Sequence, residues 1–199
     1  MRIKTLFNVL VISGSLLLVG CSKTENKNSQ ADKNKGLIAQ ANIPSIEEEK
    51  MLTVNGVISR DIGFKKLNQA VQATELSTVL NADKVYTIFA PLNGAFERMP
   101  KNAFDQLVLP ENKETLAAIL KCHIIPGVIN EEAIIKAIKN GKGSVKLKTL
   151  GGSQLIATRK RGKILLIDEN GNSGRVMKTD IEATNGVIHT LESVMQPKK

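Results

Sequence analysis

Thr87-Ile88-Phe89-Ala90-Pro91-Leu92-Asn93-Gly94-Ala95-Phe96 is the stretch of this chain that decides its fold. Residues 85–90 are mostly β-branched or aromatic, and such a run predicts a buried strand. Pro91 has no backbone N–H and therefore stops the run. Ala95 and Phe96 lie on the helix that we expect next, so the stretch predicts a core strand that leads directly into a helix.

Helical patterns lie on both sides of this strand. Upstream, apolar residues recur at helical spacing at Ile62, Leu67, Val71, Leu76, Val79 and Leu80. Ser45 followed by Glu48 fits a capping box where folded character begins. Downstream, further helix boundaries are predicted at starts after Pro100 and Pro110, at a start near Asn130, and at an end at Asn140-Gly141.

After Gly143 the pattern changes from helix to strand. Short runs typical of strands are separated by dipeptides that suit hairpin turns. The predicted strands are residues 144–150, 153–158, 163–168 and 175–181, and the predicted turns are Gly151-Gly152, Arg161-Gly162 and Asn170-Gly171. Helices followed by strands over residues 46–199 predict a single α+β domain.

The first residues show a pattern typical of export. Arg2 and Lys4 precede an apolar run, residues 6–19, that is too short to span a bilayer. Leu18-Val19-Gly20-Cys21 resembles the bacterial lipobox, in which the cysteine receives a diacylglyceryl group and the signal is cut just before it. We therefore expect residues 1–20 to be a lipoprotein signal peptide and Cys21 to carry the lipid; the alternative is a plain secretory signal.

Residues 21–45 are expected to form a flexible tether. Between Ser22 and Lys35 no apolar residue is larger than Ala31, so the segment cannot bury enough surface to offset the entropy of ordering it. The predicted location is the bacterial cell envelope, with the chain held to the membrane through Cys21. Ser22 is not the Asp that retains lipoproteins in the inner membrane of enteric bacteria, which favours the outer membrane or cell surface where one exists.

The charge is basic, and the composition argues against nucleic acid as the partner. The formal net charge is +9, and removal of Arg2 and Lys4 with the signal would lower it to +7. The chain has no Trp and one Tyr, so stacking platforms for bases are scarce. The dense basic cluster, residues 158–163, is interpreted as a solvated hairpin tip, with an anion-binding patch as the alternative.

The sequence motifs of common enzymes are missing. Gly151-Gly152-Ser153-Gln154-Leu155 lacks the second Gly of a nucleophile elbow, and neither a phosphate-binding Gly-Lys-Ser/Thr loop nor His-Glu-x-x-His occurs. Residues 168–172 resemble a calcium loop only at its start, because Ser173 and Thr179 stand where Gly and Glu belong. We therefore expect a plain turn there, no metal, no cofactor and no catalytic residues.

Cys122 and His123 are adjacent but do not form a catalytic pair. Their side chains would point to opposite faces of a strand or diverge by about 100° on a helix. Cys122 lies in an apolar run and is predicted to be buried and inert, with intermolecular pairing as the alternative. A metal site joining His123 to His189 is disfavoured because the chain has no close ligand spacing.

Three segments, in this order, resemble the fasciclin-domain family. Residues 87–96 match its motif Thr-x-Phe-Ala-Pro-Thr-Asn/Asp-x-Ala-Phe, and residues 120–127 match Leu-x-Tyr-His-x-x-Pro-Gly. Residues 180–191, with Val194 and Pro197, match the closing motif. The resemblance covers residues 54–197 and implies a wedge-shaped, twisted β-sandwich flanked by helices.

The resemblance also implies roles for single residues. Asp180-Ile181 matches a pair linked to integrin binding in animal relatives, and His123 belongs to a motif linked to receptor binding, so these are the candidate partner-binding residues. The alternatives are that Asp180 caps the following turn and that His123 is a hydrogen-bonded core residue. Asn185-Gly186 is expected to form a type I′ turn, and His189 to be structural.

Two residues depart from the family pattern. Leu92 replaces the usual Thr, which removes a hydroxyl cap from the following helix, and Asn93 is the expected substitute. Cys122 replaces the usual Tyr, which weakens the case for His123 as a binding residue.

The resemblance implies a function in binding rather than catalysis. We expect a lipid-anchored, extracytoplasmic adhesion module that recognises a protein or extracellular-matrix partner. The alternative is an envelope lipoprotein that binds a small molecule or polysaccharide, which the shortage of aromatic residues disfavours. A hydrolase is the least favoured class, because its motifs are missing.

Overall fold

The computed structural model describes residues 51–81 and 83–198. The predicted signal peptide, the lipid attachment site at Cys21, the tether and the capping box at Ser45 and Glu48 lie outside these residues.

Helices precede and surround the first strand. They are α1 (Val54–Arg60), α2 (Lys65–Gln72), α3 (Leu76–Leu80), α4 (Asn93–Glu97), α5 (Ala103–Leu107), α6 (Lys113–Lys121) and α7 (Glu131–Asn140), with 3₁₀ turns at Ile62–Phe64 and Pro110–Asn112. The helices expected after Pro100 and Pro110 are confirmed. Helix α7 begins as predicted, because the Asn130 side chain accepts a hydrogen bond from the backbone nitrogen of Ala133 at 2.9 Å.

The strands form two sheets. They are β1 (Tyr86–Pro91), β2 (Ile124–Pro126), β3 (Ser144–Lys148), β4 (Gln154–Lys160), β5 (Lys163–Ile167), β6 (Ser173–Arg175), β7 (Ile181–Ala183) and β8 (Gly186–Leu191). The first sheet has the order β2-β1-β8-β7, and its central pair, β1 and β8, is parallel. The second sheet has the order β3-β4-β5-β6 and is antiparallel throughout.

Two hydrophobic cores lie on opposite faces of the first sheet. Ile88 and Ile188 face the first core with helices α1 to α6, whereas Phe89 and Leu191 face the second core. The second core also contains Ile134 of α7 and the inner face of the second sheet. The two sheets therefore share a core and are flanked by helices, which confirms the α+β prediction.

The prediction of one strand over residues 175–181 is wrong. The chain leaves the second sheet after Arg175, bonds to β8 of the first sheet through the Val176–Leu191 bridge and through backbone hydrogen bonds of Met177 and Lys178 to Thr190, and forms a regular strand again only at Ile181. The apolar pattern misleads here because Val176 is buried in the second core while Ile181 packs against the first. The segment is a crossover between the two sheets.

Candidate partner-binding site

Asp180 lies at the entrance to β7, next to the start of α7. Its Oδ1 atom accepts a hydrogen bond from the backbone nitrogen of Glu131 at 2.9 Å. The neighbouring Thr179 hydroxyl donates to Glu131 Oε2 at 2.7 Å. We call Thr179, Asp180, Ile181 and Glu131 the Asp180 corner. It joins the sheet crossover to the N-terminus of a helix, where a carboxylate is electrostatically favoured.

The backbone at Asp180 is left-handed, with φ of 56°. Asp tolerates this conformation better than most residues, which explains its type at this position. The side chain is 44 % exposed. Ile181 is half-buried because it packs against the first core. Asp180 is therefore the solvent-exposed part of the Asp180 corner, and Ile181 mainly fixes the corner to the first core.

The prediction for the surroundings of Asp180 is wrong in two respects. Asp180 does not end an apolar strand before the turn; it precedes the short strand β7. Its carboxylate caps nothing in the following turn, because the donor is Glu131, which lies on a different element.

His189 lies directly behind the corner and is fully buried. Its Nδ1 accepts a hydrogen bond from the Asp180 backbone nitrogen at 3.2 Å, and its Nε2 therefore carries the proton and donates to the carbonyl oxygen of Ile129 at 2.8 Å. The ring stacks on Phe89 with centroids 5.2 Å apart. Burial lowers the pKa of His189. His189 is therefore buried behind Asp180 and bonded to its backbone, an arrangement that fits a structural role.

His123 lies in the interior, with 2 % of its surface exposed. Its Nε2 accepts from the backbone nitrogen of Met195, and its Nδ1 donates to the carbonyl oxygen of Ile119, both at 2.9 Å. Burial lowers the pKa of His123 to about 4, so the ring is neutral. Because both nitrogens are used inside the domain, we assign His123 to the core and withdraw it as a partner-binding residue.

Cys122 is buried and free, which confirms the prediction of burial. Its Sγ lies 3.1 Å from Ser153 Oγ, which in turn lies 2.8 Å from Thr149 Oγ1. Burial raises the pKa of the Cys122 thiol, so the less nucleophilic protonated form is favoured. The hydrogen-bond partners of Cys122 and His123 differ, so the two side chains do not act as a pair.

Asn185 connects three parts of the domain. Its Oδ1 accepts from the backbone nitrogen of Val54 at 2.8 Å, and its Nδ2 donates to the carbonyl oxygen of Leu80 at 2.7 Å. The expected type I′ turn at Asn185-Gly186 is wrong: Ala183 pairs with Gly186, so the turn residues are Thr184 and Asn185, and neither has a positive φ. Through these two hydrogen bonds the Asn185 side chain joins the end of α3 to the start of α1.

Gly186 is required by a close approach. It opens β8 opposite Tyr86 of the parallel strand β1, and a Cβ atom there would overlap the Tyr86 carbonyl oxygen. A side chain at this position would therefore push apart the two central strands of the first sheet.

Residues 168–172, which weakly resemble a calcium loop, form a turn around the Asp168 carboxylate, as predicted. Its carboxylate accepts from the backbone nitrogens of Asn170, Asn172 and Gln196 and from the Asn172 side chain. These donors satisfy a carboxylate that is 4 % exposed. Within the described residues, no group of three or more His, Cys, Asp or Glu residues could hold a metal ion.

Asn93 does not replace the missing hydroxyl cap of α4. Leu92 occupies the cap position without a side-chain bond, while Asn93 accepts from the backbone nitrogen of Lys66 at 3.0 Å and donates to the carbonyl oxygen of Ile62 at 2.8 Å. The prediction is wrong because the Asn93 side chain caps helix α2 and not its own helix α4. This contact forms only in the folded domain, where α4 lies next to the start of α2.

The sequence patterns did not identify Glu131 and Thr179 as parts of the Asp180 corner, nor Ile129 as the hydrogen-bond partner of His189 behind it. Glu131 was visible only as an acidic residue in a first helical turn, which is a common preference. Nothing in the sequence pairs it with Thr179, 48 residues later.

In the part of the chain described, no helix is both long and apolar enough to cross a bilayer.

Comparison with known proteins agrees with this architecture. The model of the fasciclin domain matches residues 62–197. Protein sll1483 of Synechocystis sp. is 33 % identical over 149 residues, which are 75 % of this chain and 76 % of that protein. Transforming growth factor-beta-induced protein ig-h3 of Sus scrofa is 35 % identical over 148 residues, covering 74 % of this chain but only 20 % of its own length.

A solved structure has the same fold. The FAS1 domain pair from the insect cell adhesion molecule fasciclin I superposes with a TM-score of 0.64 at 21 % identity, covering 72 % of this chain and 50 % of that one. The strand order, the shared core of the two sheets and the match over residues 62–197 lead to one conclusion: this chain belongs to the fasciclin domain family.

Proposed function

We propose that this chain is a non-catalytic binding module of the bacterial cell envelope, anchored by a lipid at Cys21, that contacts a protein or matrix partner through the Asp180 corner. One observation carries the proposal: the Asp180 carboxylate is held by a backbone hydrogen bond through Oδ1 and is nevertheless 44 % exposed. Within the described residues Oδ2 has no hydrogen-bond partner, so it is available to a donor on a partner.

Family membership supports a role in binding. The insect relative of known structure is named as a cell adhesion molecule. The geometry of Cys122 and His123 supports a module without catalysis, because each side chain is engaged separately in the interior. The depressions around the second sheet are open to solvent, whereas a small-molecule or polysaccharide ligand would be favoured by an enclosed polar pocket.

The anchor is tested by expressing the full chain in a bacterium and measuring the intact mass of the purified product. We expect loss of residues 1–20 and a mass increment for acyl chains on Cys21. A Cys21→Ser variant should leave the membrane fraction, since at least two acyl chains are needed for firm attachment. A product that begins elsewhere, or a variant that stays in the membrane fraction, would overturn the anchor.

The binding site is tested by coupling the chain to beads and measuring binding to envelope material and to extracellular-matrix proteins. Asp180→Asn keeps a hydrogen-bond acceptor at Oδ1 but removes the charge. Glu182→Gln is the matched control, because it removes the same charge from a neighbouring exposed residue. Loss of binding in Asp180→Asn alone, with an unchanged melting temperature, supports the proposal; equal binding by both variants and the parent chain contradicts it.

A further inference from the structure

The outer face of the second sheet carries an unusual set of side chains. Strand alternation assigns Leu147, Leu155, Ala157, Ile164 and Leu166 to the inner face, in the second core. The residues between them point outward. In register across the strands, Lys146 pairs with Ile156 and Ile156 with Ile167, while Thr158 pairs with Leu165 and Leu165 with Arg175.

Every charged residue on strands β3 to β6 is basic. On the outer face these residues surround the apolar ones: Lys146 and Lys148 on one edge strand, Lys160 and Lys163 at the hairpin end, and Arg175 on the other edge strand. All five are exposed. Together with Ile156, Leu165 and Ile167, they are named here the basic sheet face.

The lysines of the basic sheet face are not neutralised by the domain itself. Arg175 forms an ion pair with Glu192 at 2.8 Å, but none of Lys146, Lys148, Lys160 or Lys163 has an acidic partner within the described residues. Two acids lie near the face: Glu169, in the turn after β5, shares a shallow depression with Lys146, and Glu192, paired with Arg175, shares one with Lys160 and Lys163. The Asp168 carboxylate beside Glu169 is already occupied by its four donors.

The centre of the face is aliphatic and partly exposed. Ile156, Leu165 and Ile167 are each half-buried and lie in adjacent positions on two neighbouring strands. The four strands contain no aromatic residue. Stacking on sugars or bases needs aromatic faces, so the face is poorly suited to a polysaccharide or a nucleic acid.

We propose that the basic sheet face docks on a membrane surface rich in anionic phospholipids, with the lysines among the headgroups and the three aliphatic side chains at the level of the upper acyl chains. Basic residues near an anionic surface each strengthen binding, and a small apolar centre adds to this attraction. This proposal concerns a different surface from the Asp180 corner and does not depend on the lipid at Cys21.

The test uses the chain from residue 22 onward, which lacks the lipid site and retains both hydrophobic cores. Its binding to vesicles of mixed phosphatidylglycerol and phosphatidylcholine is compared with binding to phosphatidylcholine alone by sedimentation. We expect binding only to the anionic vesicles, and weakening when salt is raised, because exposed charges are then screened.

Two matched double variants distinguish binding through the basic sheet face from nonspecific attraction by the overall positive charge. Lys160→Gln with Lys163→Gln should weaken binding on the order of tenfold or more. Lys136→Gln with Lys139→Gln makes the same charge change on the exposed side of α7, which packs on the inner face of the second sheet, and should have little effect. Equal weakening by both pairs would overturn the proposal in favour of nonspecific attraction.

Orientation is measured by fluorescence, since the chain has no Trp of its own. Leu165→Trp places a probe on the basic sheet face, and Ile62→Trp places one on a helical residue that is 85 % exposed. Anionic vesicles should shift the emission of the first probe to the blue and leave the second unchanged. Absence of vesicle binding, a shift at Ile62→Trp instead, or binding to an acidic polysaccharide in preference to vesicles would each overturn the proposal.

Discussion

The backbone nitrogen of Met195 donates a hydrogen bond to Nε2 of His123 at 2.9 Å, across 72 residues of sequence. Met195 is fully buried, so this bond fixes the final segment of the domain to the end of α6. It also sets the tautomer: Nδ1 carries the proton and donates to the carbonyl oxygen of Ile119. A protonated ring could not accept from Met195, so the bond requires neutral His123.

Stability should therefore decrease in mild acid. The pKa of His123 falls from 6.5 to about 4 because the ring is buried. Above pH 6.5, the pKa of His123 in the unfolded chain, the ring is neutral in both the folded and the unfolded protein. Between pH 6.5 and about 4 only the unfolded chain takes up the proton, which favours unfolding. The stability that the neutral ring contributes is thus present above pH 6.5 and is lost as the pH falls through the folded pKa, at a total cost of about 3 kcal/mol in the free energy of unfolding.

The measurement is urea unfolding at pH 7 and pH 4.5 for the parent chain and His123→Gln. The variant has no imidazole to titrate at this position. Its free energy of unfolding should therefore decrease between pH 7 and pH 4.5 by about 2 kcal/mol less than that of the parent chain. Equal decreases in the two proteins would contradict a buried neutral His123.

Replacing Asn185 by Ala should destabilise the domain strongly. The change leaves the buried Val54 nitrogen and Leu80 carbonyl oxygen without the partners they have now. We expect the free energy of unfolding to fall by about 2–4 kcal/mol in denaturant titration. Thr184→Ala, at the exposed neighbouring turn position, is the control and should change it by less than about 0.5 kcal/mol.

Gly186→Ala and Gly94→Ala should have opposite outcomes. A Cβ at Gly186 overlaps the Tyr86 carbonyl oxygen, whereas one at Gly94, in α4, meets no atom within 4 Å. We expect Gly186→Ala to lower the melting temperature sharply or prevent folding. Gly94→Ala should leave stability unchanged or raise it by up to about 1 kcal/mol, through the lower entropy of the unfolded chain. A folded Gly186→Ala protein with the parent's melting temperature would show that β1 and β8 are not so closely paired.

Asp180 should stabilise the domain because its side chain accepts a hydrogen bond and because its residue type suits a left-handed backbone, and not because its carboxylate is charged. Asp180→Ala removes the bond to the Glu131 nitrogen and places Ala at φ of 56°. We expect a loss of about 1–3 kcal/mol. Asp180→Asn keeps an acceptor and suits the left-handed backbone, so thermal unfolding should show a change below about 0.5 kcal/mol. Equal losses in both variants would indicate that the charge itself is structural.

Cys122 should be unreactive in the native domain. In a chain carrying Cys21→Ser it is the only thiol, so labelling by iodoacetamide reports on it alone. Because Cys122 is 1 % exposed and burial raises the pKa of its thiol, labelling should be slow in buffer and fast in urea. Cys122→Ser should lower the free energy of unfolding by about 1–3 kcal/mol, because a hydroxyl is buried less readily than a thiol. Fast labelling of the folded protein would contradict this assignment.

The local elements of the fold were predictable because local rules govern them. Strand β1 follows from its β-branched run, and α7 from Asn130 at its cap and Gly141 after its end. The hairpin between β4 and β5 follows from Arg161-Gly162, since both residues adopt a positive φ that suits a two-residue turn. The burial of Cys122 follows from the apolar residues around it.

The candidate site was predictable only in part. The motif located Asp180 and Ile181, but not Glu131, whose backbone holds the carboxylate. It also included His123, which the fold buries between α6 and the final segment. The apolar run around His123 favoured its interpretation as a hydrogen-bonded core residue, but the segments to which its two ring nitrogens bond are known only from the tertiary structure.

The amino-acid sequence by itself determined most of the helices and strands, the hairpin turn at Arg161-Gly162 and the resemblance to the family, because capping, turn chemistry and apolar periodicity act over a few residues. Only the tertiary structure decided that residues 175–181 cross between two sheets, that Asn93 caps α2, and that Asn185 joins α1 to α3. Each of these depends on a hydrogen bond or pairing between segments far apart in the chain, and such contacts form only once the two cores have brought those segments together.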